Sequence, residues 1–367
     1  MAGMNEERHV AFQTLLKRDG FDCYLACTPI SMGYLASFFE GGGERMLLMA
    51  IRPTGEPAMI VPALSETHAS HTGIKQIRAW NDGEDPGVLF EQLAAEWNLR
   101  TAVIGVDDEM TAGILLRLQQ ALPAALFKCG GDTMADLRKR KSQEELDRMR
   151  KAAKIAEAAY EKVLNGFRVG MTESELATRI LSAMAEGGGE PTFCIVAAGP
   201  NGAEPHHANS QRPIQQGDIV VIDWGCLYEK YHSDITRTIS VGAASEEAKA
   251  VYQVVYNSHM EGRTAIKPGV SCESIDSAAR QVIVDAGYGE QFVHRTGHGI
   301  GMMGHEPPHI VQGSKSLLEV GQCFSVEPGI YLRGKFGVRI ENLVTVTENG
   351  HESFNSEPSP TIVEIAV

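Results

Sequence analysis

Gly217-Asp-Ile-Val-Val-Ile-Asp223-Trp-Gly225, followed by Cys226-Leu-Tyr-Glu-Lys-Tyr-His-Ser-Asp234-Ile-Thr-Arg-Thr-Ile-Ser-Val241, reads as two strands joined by a polar turn. Ile219 to Ile222 is a short apolar run and Ile235 to Val241 is rich in β-branched residues. Asp223 falls at the end of the first strand and Asp234 at the start of the second. A carboxylate in a buried strand carries a desolvation penalty or takes up a proton unless a cation or hydrogen-bond donors offset it. Two such carboxylates in one hairpin call for a cation, although strand-end Asp residues also serve as ordinary caps.

The same device recurs about a hundred residues on. Ser325-Val-Glu327-Pro-Gly-Ile-Tyr331 and Gly337-Val-Arg339-Ile-Glu341-Asn-Leu-Val-Thr-Val346 place Glu327 and Glu341 on a second pair of β-type segments. Between the two units lies His294-Arg-Thr-Gly-His298-Gly-Ile-Gly-Met-Met-Gly-His305, a Gly-rich stretch with three imidazoles. Charge arithmetic selects the kind of site. Four ionised carboxylates about 4 Å apart repel by roughly 4 kcal/mol per pair at an effective dielectric of 20. One divalent ion leaves a residual charge of about −2, and two neutralise the set. Oxygen-rich ligation with one imidazole suits Mn, Co, Fe or Zn. A two-metal centre polarises a carbonyl and makes a water acidic near neutral pH, so hydrolysis is the reaction such an assembly performs best.

Asp223, Asp234, His298, Glu327 and Glu341, in that order and in those local contexts, resemble the five metal ligands of the methionine aminopeptidase, prolidase and aminopeptidase P family. The resemblance spans roughly residues 140–367. The N-terminal third resembles the extra domain of the prolidase, aminopeptidase P and creatinase branch, which methionine aminopeptidases lack. The implied fold is a creatinase/prolidase-type α/β domain over 1–135, followed by an α+β pita-bread catalytic domain over 136–367. The implied cofactor is a pair of divalent ions, with Mn first and Co, Zn or Fe as substitutes. The implied substrate is a small peptide with proline at its second position, cleaved at the bond preceding proline. The implied assembly is a homodimer or homotetramer.

The resemblance also assigns roles outside the ligand set. His206, eleven residues before Gly217, matches the family's substrate-binding and proton-handling His, whereas its neighbour His207 does not. His294 and His305 match imidazoles that flank the scissile bond. Glu327 doubles as ligand and proton acceptor. Arg339, two residues before Glu341 and so on the same strand face, supports the carboxylates by charge-assisted hydrogen bonds. Relatives that are strict dipeptidases hold the substrate's C-terminal carboxylate with an Arg in the stretch before the metal-ligand Glu, yet Ile310 to Gln322 offers only Lys315. Lys315 and Arg333 are the substitutes the sequence suggests for closing the pocket. The alternative reading is a related amide hydrolase or lyase acting on a non-peptide small molecule. A metal-free creatinase-like enzyme or a binding module would lack this ligand set.

The rest of the chain sets the frame. A length of 367 residues accommodates two domains with a large core. The net charge of −14 disfavours nucleic acid and anionic membrane as partners. The polar N-terminus has no signal-peptide h-region, and the seven irregularly spaced cysteines form no metal or disulfide pattern, so the expectation is a cytoplasmic protein with buried thiols. The first third alternates helices at 5–19, 31–39, 86–97 and 111–122 with strands at 22–27, 45–51, 58–61, 75–80, 102–106 and 124–128, which implies a mixed sheet. Gly41-Gly-Gly43 is a loop and not a phosphate cradle, because no strand–loop–helix order surrounds it. Arg138-Lys-Arg-Lys141, flanked by Asp136, Glu144, Glu145 and Asp147, reads as part of a solvated interdomain helix. Capping boxes at Ser142–Glu145 and Thr172–Glu175 open helices to about Val163 and Ala185. A strand at 193–198 and helices at 246–266 and 274–286 complete two similar halves.

Overall fold

The computed structural model describes residues 3–366, and its chain divides into two compact units between Arg138 and Lys139. In the first unit, helices α1 (Glu6–Asp19), α2 (Pro29–Ala36), α3 (Glu66–Ser70), α4 (Pro86–Glu96), α5 (Ala112–Ala121) and α6 (Gly131–Arg138) accompany strands β1 (Cys23–Ala26), β2 (Leu48–Ile51), β3 (Ala58–Pro62), β4 (Gln76–Trp80), β5 (Val103–Val106) and β6 (Leu126–Cys129). The strands form one mixed sheet in the order β4-β3-β2-β1-β5-β6. Residue 135 lies inside α6. Helix α2 starts earlier than its apolar pattern suggests, because Thr28 caps it and Pro29 sits at its first turn, and it stops where Ser37 turns left-handed at φ 55°. Asp107, just after β5, ties the β1–α2 turn down by accepting from Tyr24 Oη, Cys27 N, Thr28 N and Ser31 Oγ.

The second unit opens with α7 (Gln143–Leu164) and α8 (Glu173–Glu186), each started by a capping box in which the Ser142 or Thr172 hydroxyl and the Glu145 or Glu175 carboxylate exchange hydrogen bonds with the backbone. Their apolar stripes cover a sheet of β7 (Glu190–Ala198), β8 (Ile219–Tyr228) and β10 (Ile235–Val241), with β9 (Tyr231–His232) beside β8. Trp224 of β8 is fully buried, stacks on Tyr160 of α7 at 4.4 Å and donates its indole N–H to Ala156 O. Removing an indole of that size from a closed core leaves a cavity worth about 3–5 kcal/mol. The pattern then repeats. Helices α9 (Glu246–Thr264) and α10 (Cys272–Asp285) accompany β11 (Gly297–Gly299), β12 (Glu306–Ile310), β13 (Cys323–Val326), β16 (Asn342–Thr347) and β17 (Gly350–Ser353), with β14 (Gly329–Leu332) and β15 (Phe336–Arg339) as a separate hairpin. Strand β18 (Val363–Ile365) runs parallel to β10 and finishes the first of these sheets. This is the duplicated pita-bread arrangement.

Three local expectations need correction. Strand β8 does not end at Asp223 but runs on to Tyr228, because Trp224 and Cys226 are buried beyond it, so the carboxylate interrupts a strand and does not terminate it. Arg339 and Glu341 do not share a strand: Arg339 ends β15, paired with Gly329, and Glu341 lies in the break before β16. The basic run at 138–141 is not a solvated helix, since Arg138 and Lys141 are buried and Lys141 Nζ meets Glu306 Oε1 at 2.6 Å.

Candidate metal centre

Five side chains arrive from five strand contexts at one cleft of about 830 Å³. Asp223 points from β8, opposite Thr236 of β10, and Asp234 sits one residue before β10. His298 is the middle residue of β11. Glu327 follows β13, with Pro328 behind it, and Glu341 fills the β15–β16 break. The chain can place His298 there because Gly297 has no side chain: a Cβ would collide with the Ser325 carbonyl oxygen. Ligand atoms of Asp234, His298 and Glu341 all lie within 4.8 Å of one another. His298 Nε2 is 3.4 Å from Glu327 Oε1 and 3.8 Å from Asp234 Oδ2. Its Nδ1, 3.1 Å from Gly299 O, carries the proton and donates to that carbonyl, which leaves Nε2 as a lone-pair donor facing the carboxylates.

The electrostatics favour a bound cation. Burial, and then the neighbouring carboxylates Glu341, Asp223 and Glu327, push the Asp234 carboxyl well above the usual range. Burial followed by Glu327 and Asp223 does the same to Glu341. Burial pushes Glu327 up to about 7 even though Arg339 pulls it down. His298 is pushed down to about 3, by burial first and then by His305. Asp223 Oδ1 and Glu341 Oε1 are buried with no hydrogen-bond partner. Buried anionic oxygens without donors are unfavourable by several kcal/mol, and a divalent ion is the partner this oxygen-rich donor set fits.

Around the five, Ser325 Oγ donates to Glu327 Oε1 at 3.0 Å and Thr236 Oγ1 donates to Glu341 Oε2 at 2.7 Å. Arg339 donates from Nη2 to Asp223 Oδ2 at 2.8 Å, from Nε to Thr236 Oγ1 and from Nη1 to Tyr331 Oη. Tyr331 in turn meets His294 Nε2 at 2.8 Å, while His294 Nδ1 meets Arg295 O at 2.7 Å. Burial pushes His294 down to about 4, so it is neutral, with Nδ1–H donating and Nε2 accepting from Tyr331. The structure thus gives His294 two protein partners. His206, His294 and His305 all line the cleft, and the His305 ring lies 3.8 Å from that of His298. His207 instead turns to buried Glu173, Nε2 to Oε2 at 2.9 Å, and so anchors the loop that carries His206.

Sequence reasoning missed Tyr331, Arg295, His309 and His232. Tyr331 sits inside the quoted Glu327 segment, where a tyrosine reads as strand apolarity. His232 precedes Asp234 by two residues and lines the cleft, with burial pushing its imidazole down to about 4. Arg295 bonds to His305 Nδ1 at 3.2 Å and His309 Nδ1 at 3.1 Å. Asp276 of α10 was also overlooked. It accepts from Thr296 N and Oγ1 and pairs with Arg280, whose Nη2 donates to His294 O, so α10 pins the main chain at 294–296.

Residues 147–348 match metallopeptidase family M24, and residues 8–140 match the creatinase/prolidase N-terminal domain. The chain is 39% identical over 353 residues to the probable dipeptidase PepE of Mycobacterium tuberculosis, covering 93% of each sequence. It is 38% identical over 349 residues to the Xaa-Pro dipeptidase of Pyrococcus furiosus, covering 94% of this chain and 96% of the relative. The crystal structure of recombinant prolidase from Thermococcus sibiricus superposes with a TM-score of 0.93 at 34% identity, over 99% of this chain and all of that one (100%).

Proposed function

The chain belongs to metallopeptidase family M24, and from that premise we propose how its own residues carry out the family's reaction. The activity is metal-dependent hydrolysis of Xaa-Pro peptides, at the bond preceding proline. The comparisons do not favour a non-peptide amide hydrolase or lyase. Asp223, Asp234, His298, Glu327 and Glu341 hold two divalent ions, with Mn the first choice for so many oxygen donors. Bound there, such ions supply Lewis-acid polarisation of the scissile carbonyl and acidify a water. The observation that carries this reading is the pair of buried, donorless oxygens of Asp223 and Glu341 in the same cleft where His298 Nε2 faces Glu327 and Asp234.

The remaining residues handle protons and orientation. A Glu327 carboxylate oxygen receives the proton of the attacking water and passes it to the departing proline nitrogen. His206 and His305, which both line the cleft, offer imidazoles to orient the substrate and to stabilise charge that develops on the carbonyl oxygen. His294 holds Tyr331, and Tyr331 with Asp223 holds Arg339, so the Asp223 carboxylate keeps its orientation. Seven cysteines, all free thiols, support a reducing, cytoplasmic setting.

The test is a panel of Xaa-Pro dipeptides, longer Xaa-Pro peptides and proline-free controls, assayed with Mn and Co before and after chelation, with metal counted by elemental analysis. Cleavage confined to the bond before proline, abolished by chelation and restored by metal at two ions per chain, is the expected result. Full activity in demetallated protein, or cleavage of proline-free peptides alone, would overturn it.

A further inference from the structure

We infer that Glu173 is a positioning residue for the reaction: its buried carboxylate fixes the loop that presents His206 to the substrate. This rests on the Xaa-Pro peptidase reading and adds to it a residue that never touches the peptide. Lys315, paired with Glu273, and Arg333, in a separate cavity of about 700 Å³, do not line the cleft. Glu173 does not line it either, yet it is bonded to the segment that supplies one of the cleft's imidazoles. That segment runs from Ala198, the last residue of β7, to Ile219, the first of β8. His206 lies within it with no side-chain hydrogen bond to another described residue, so its neighbours set its place.

Those neighbours converge on one side chain. Glu173 is the first residue of α8 and is fully buried. Its Oε1 accepts from Ala198 N at 2.8 Å and from Asn201 Nδ2 at 2.9 Å. Its Oε2 accepts from Ser210 N at 3.0 Å, Ser210 Oγ at 2.6 Å and His207 Nε2 at 2.9 Å. These donors lie on both sides of His206 in the chain, so one carboxylate closes the loop around it. A carboxylate offers about four acceptor sites, and the donors here use them all. Burial pushes the Glu173 carboxyl up, but the bonds from Ser210, Ala198, Asn201 and His207 outweigh it and hold the group below the usual range. A first-turn acid often serves only its own helix. In α8, however, Thr172 and Glu175 already form the capping box, and the N–H groups of Glu173 and Ser174 go to Arg212 O and Ser210 O of the same loop. Asn209 adds bonds to Val196 N and Cys194 O of β7, and the Arg212–Asp218 pair closes the base of the loop. Arg339, which holds Asp223, also reaches Pro205 O at 3.4 Å.

Glu173→Gln keeps the size of the side chain, but its amide N–H must face the backbone N–H of either Ala198 or Ser210, so one anchor is lost in either orientation. Displacing a catalytic group by about 1 Å from a distance can cost up to about 10²-fold. Glu173→Gln is therefore expected to lower kcat/KM on Leu-Pro by about 10–100-fold, mostly in kcat, with metal content unchanged. In a His206→Ala background the same substitution should change kcat/KM by no more than about twofold, because the group it positions is gone. A loss of the same size in both backgrounds, or no loss in the parent, would overturn the inference, leave Glu173 as a structural acid and leave the peptidase reading standing. If Glu173→Gln does not fold, Ser210→Ala, which removes one of the donors, carries the same cycle under the same criteria. The imidazole itself gives a second readout that needs no turnover. In zinc-loaded protein carrying ¹³C at the histidine Cε1 atoms, the resonance missing from His206→Ala identifies His206. It should be single in the parent and shifted or broadened in Glu173→Gln. Such a change would uphold the inference even if no Xaa-Pro peptide were cleaved, whereas an unchanged His206 resonance would sink it.

Discussion

His206 and His298 share one cleft, and their surroundings give them different tasks. His298 has Nδ1 committed to Gly299 O and Nε2 turned to Glu327 and Asp234, the geometry of the ligand role proposed for it. His206 lines the same cleft but hydrogen-bonds to no other described residue, which leaves both of its nitrogens for substrate. His206→Ala is therefore expected to lower kcat/KM by about 10²–10⁴, the range for a positioned proton-handling or oxyanion group, while metal content is unchanged. Elemental analysis beside the kinetics checks this: loss of metal would make His206 a ligand, and full activity would remove it from the chemistry. The clustering of the candidate ligands in one cleft was legible because a carboxylate inside Ile-Val-Val-Ile-Asp223 breaks the apolar pattern around it. Arg295 and Tyr331 were not, since an Arg beside a Gly-rich loop and a Tyr in a strand are ordinary until their partners ten and eight residues away are folded against them.

The capping boxes were read correctly, whereas the Thr28–Pro29 start of α2 and the pairings between distant residues were not. The capping boxes of α7 and α8 lie within four consecutive residues each, and both form as the sequence suggests. Lys141 differs, because its partner Glu306 is 165 positions away, and beside Arg138-Lys-Arg it looked like one more solvated cation. In the fold it is a buried ion pair that ties the approach to α7 to the start of β12, directly after His305. The break between β15 and β16, which separates Arg339 from Glu341, was equally invisible, as both flanks have strand character. Breaking a buried pair by removing one partner leaves an uncompensated charge, so Lys141→Met is expected to destabilise the protein by about 3–5 kcal/mol. Urea unfolding of the metal-loaded variant measures it. A change within about 0.5 kcal/mol, the scatter of a surface substitution, would show that the pair is not buried in solution.

For the molecule as a whole, the metal centre couples folding to pH through charges the chain cannot neutralise alone. Glu327 is pushed up to about 7 by burial, and Asp234 and Glu341 are raised well above the carboxylate range by burial and mutual repulsion. A carboxyl whose folded pKa is raised contributes stability that is present below its unfolded pKa and lost as pH rises through the folded value, because above that point the folded state must hold a buried charge that the unfolded chain solvates. Buried imidazoles act in the opposite sense. His232, His294 and His298, pushed down to about 4, 4 and 3, contribute stability above about 6.5 that is lost on acidification, so they mask the carboxylates below that pH. The clean window is therefore about pH 7.5 to 8.5, roughly one unit or more above the unfolded imidazole value, where the imidazoles are essentially neutral in both states. Chelated protein should lose thermal stability across this window, whereas metal-loaded protein should lose much less, because bound cations keep the same carboxylates ionised and compensated. The difference between the two curves removes the contribution of the buried thiols, which is common to both. Metal binding near pH 7 must then also release protons, measurable as a dependence of the calorimetric heat on the ionisation enthalpy of the buffer. Parallel stability curves together with buffer-independent heats would mean that the carboxylates are already ionised in the metal-free fold, held by solvent or by donors other than the ions.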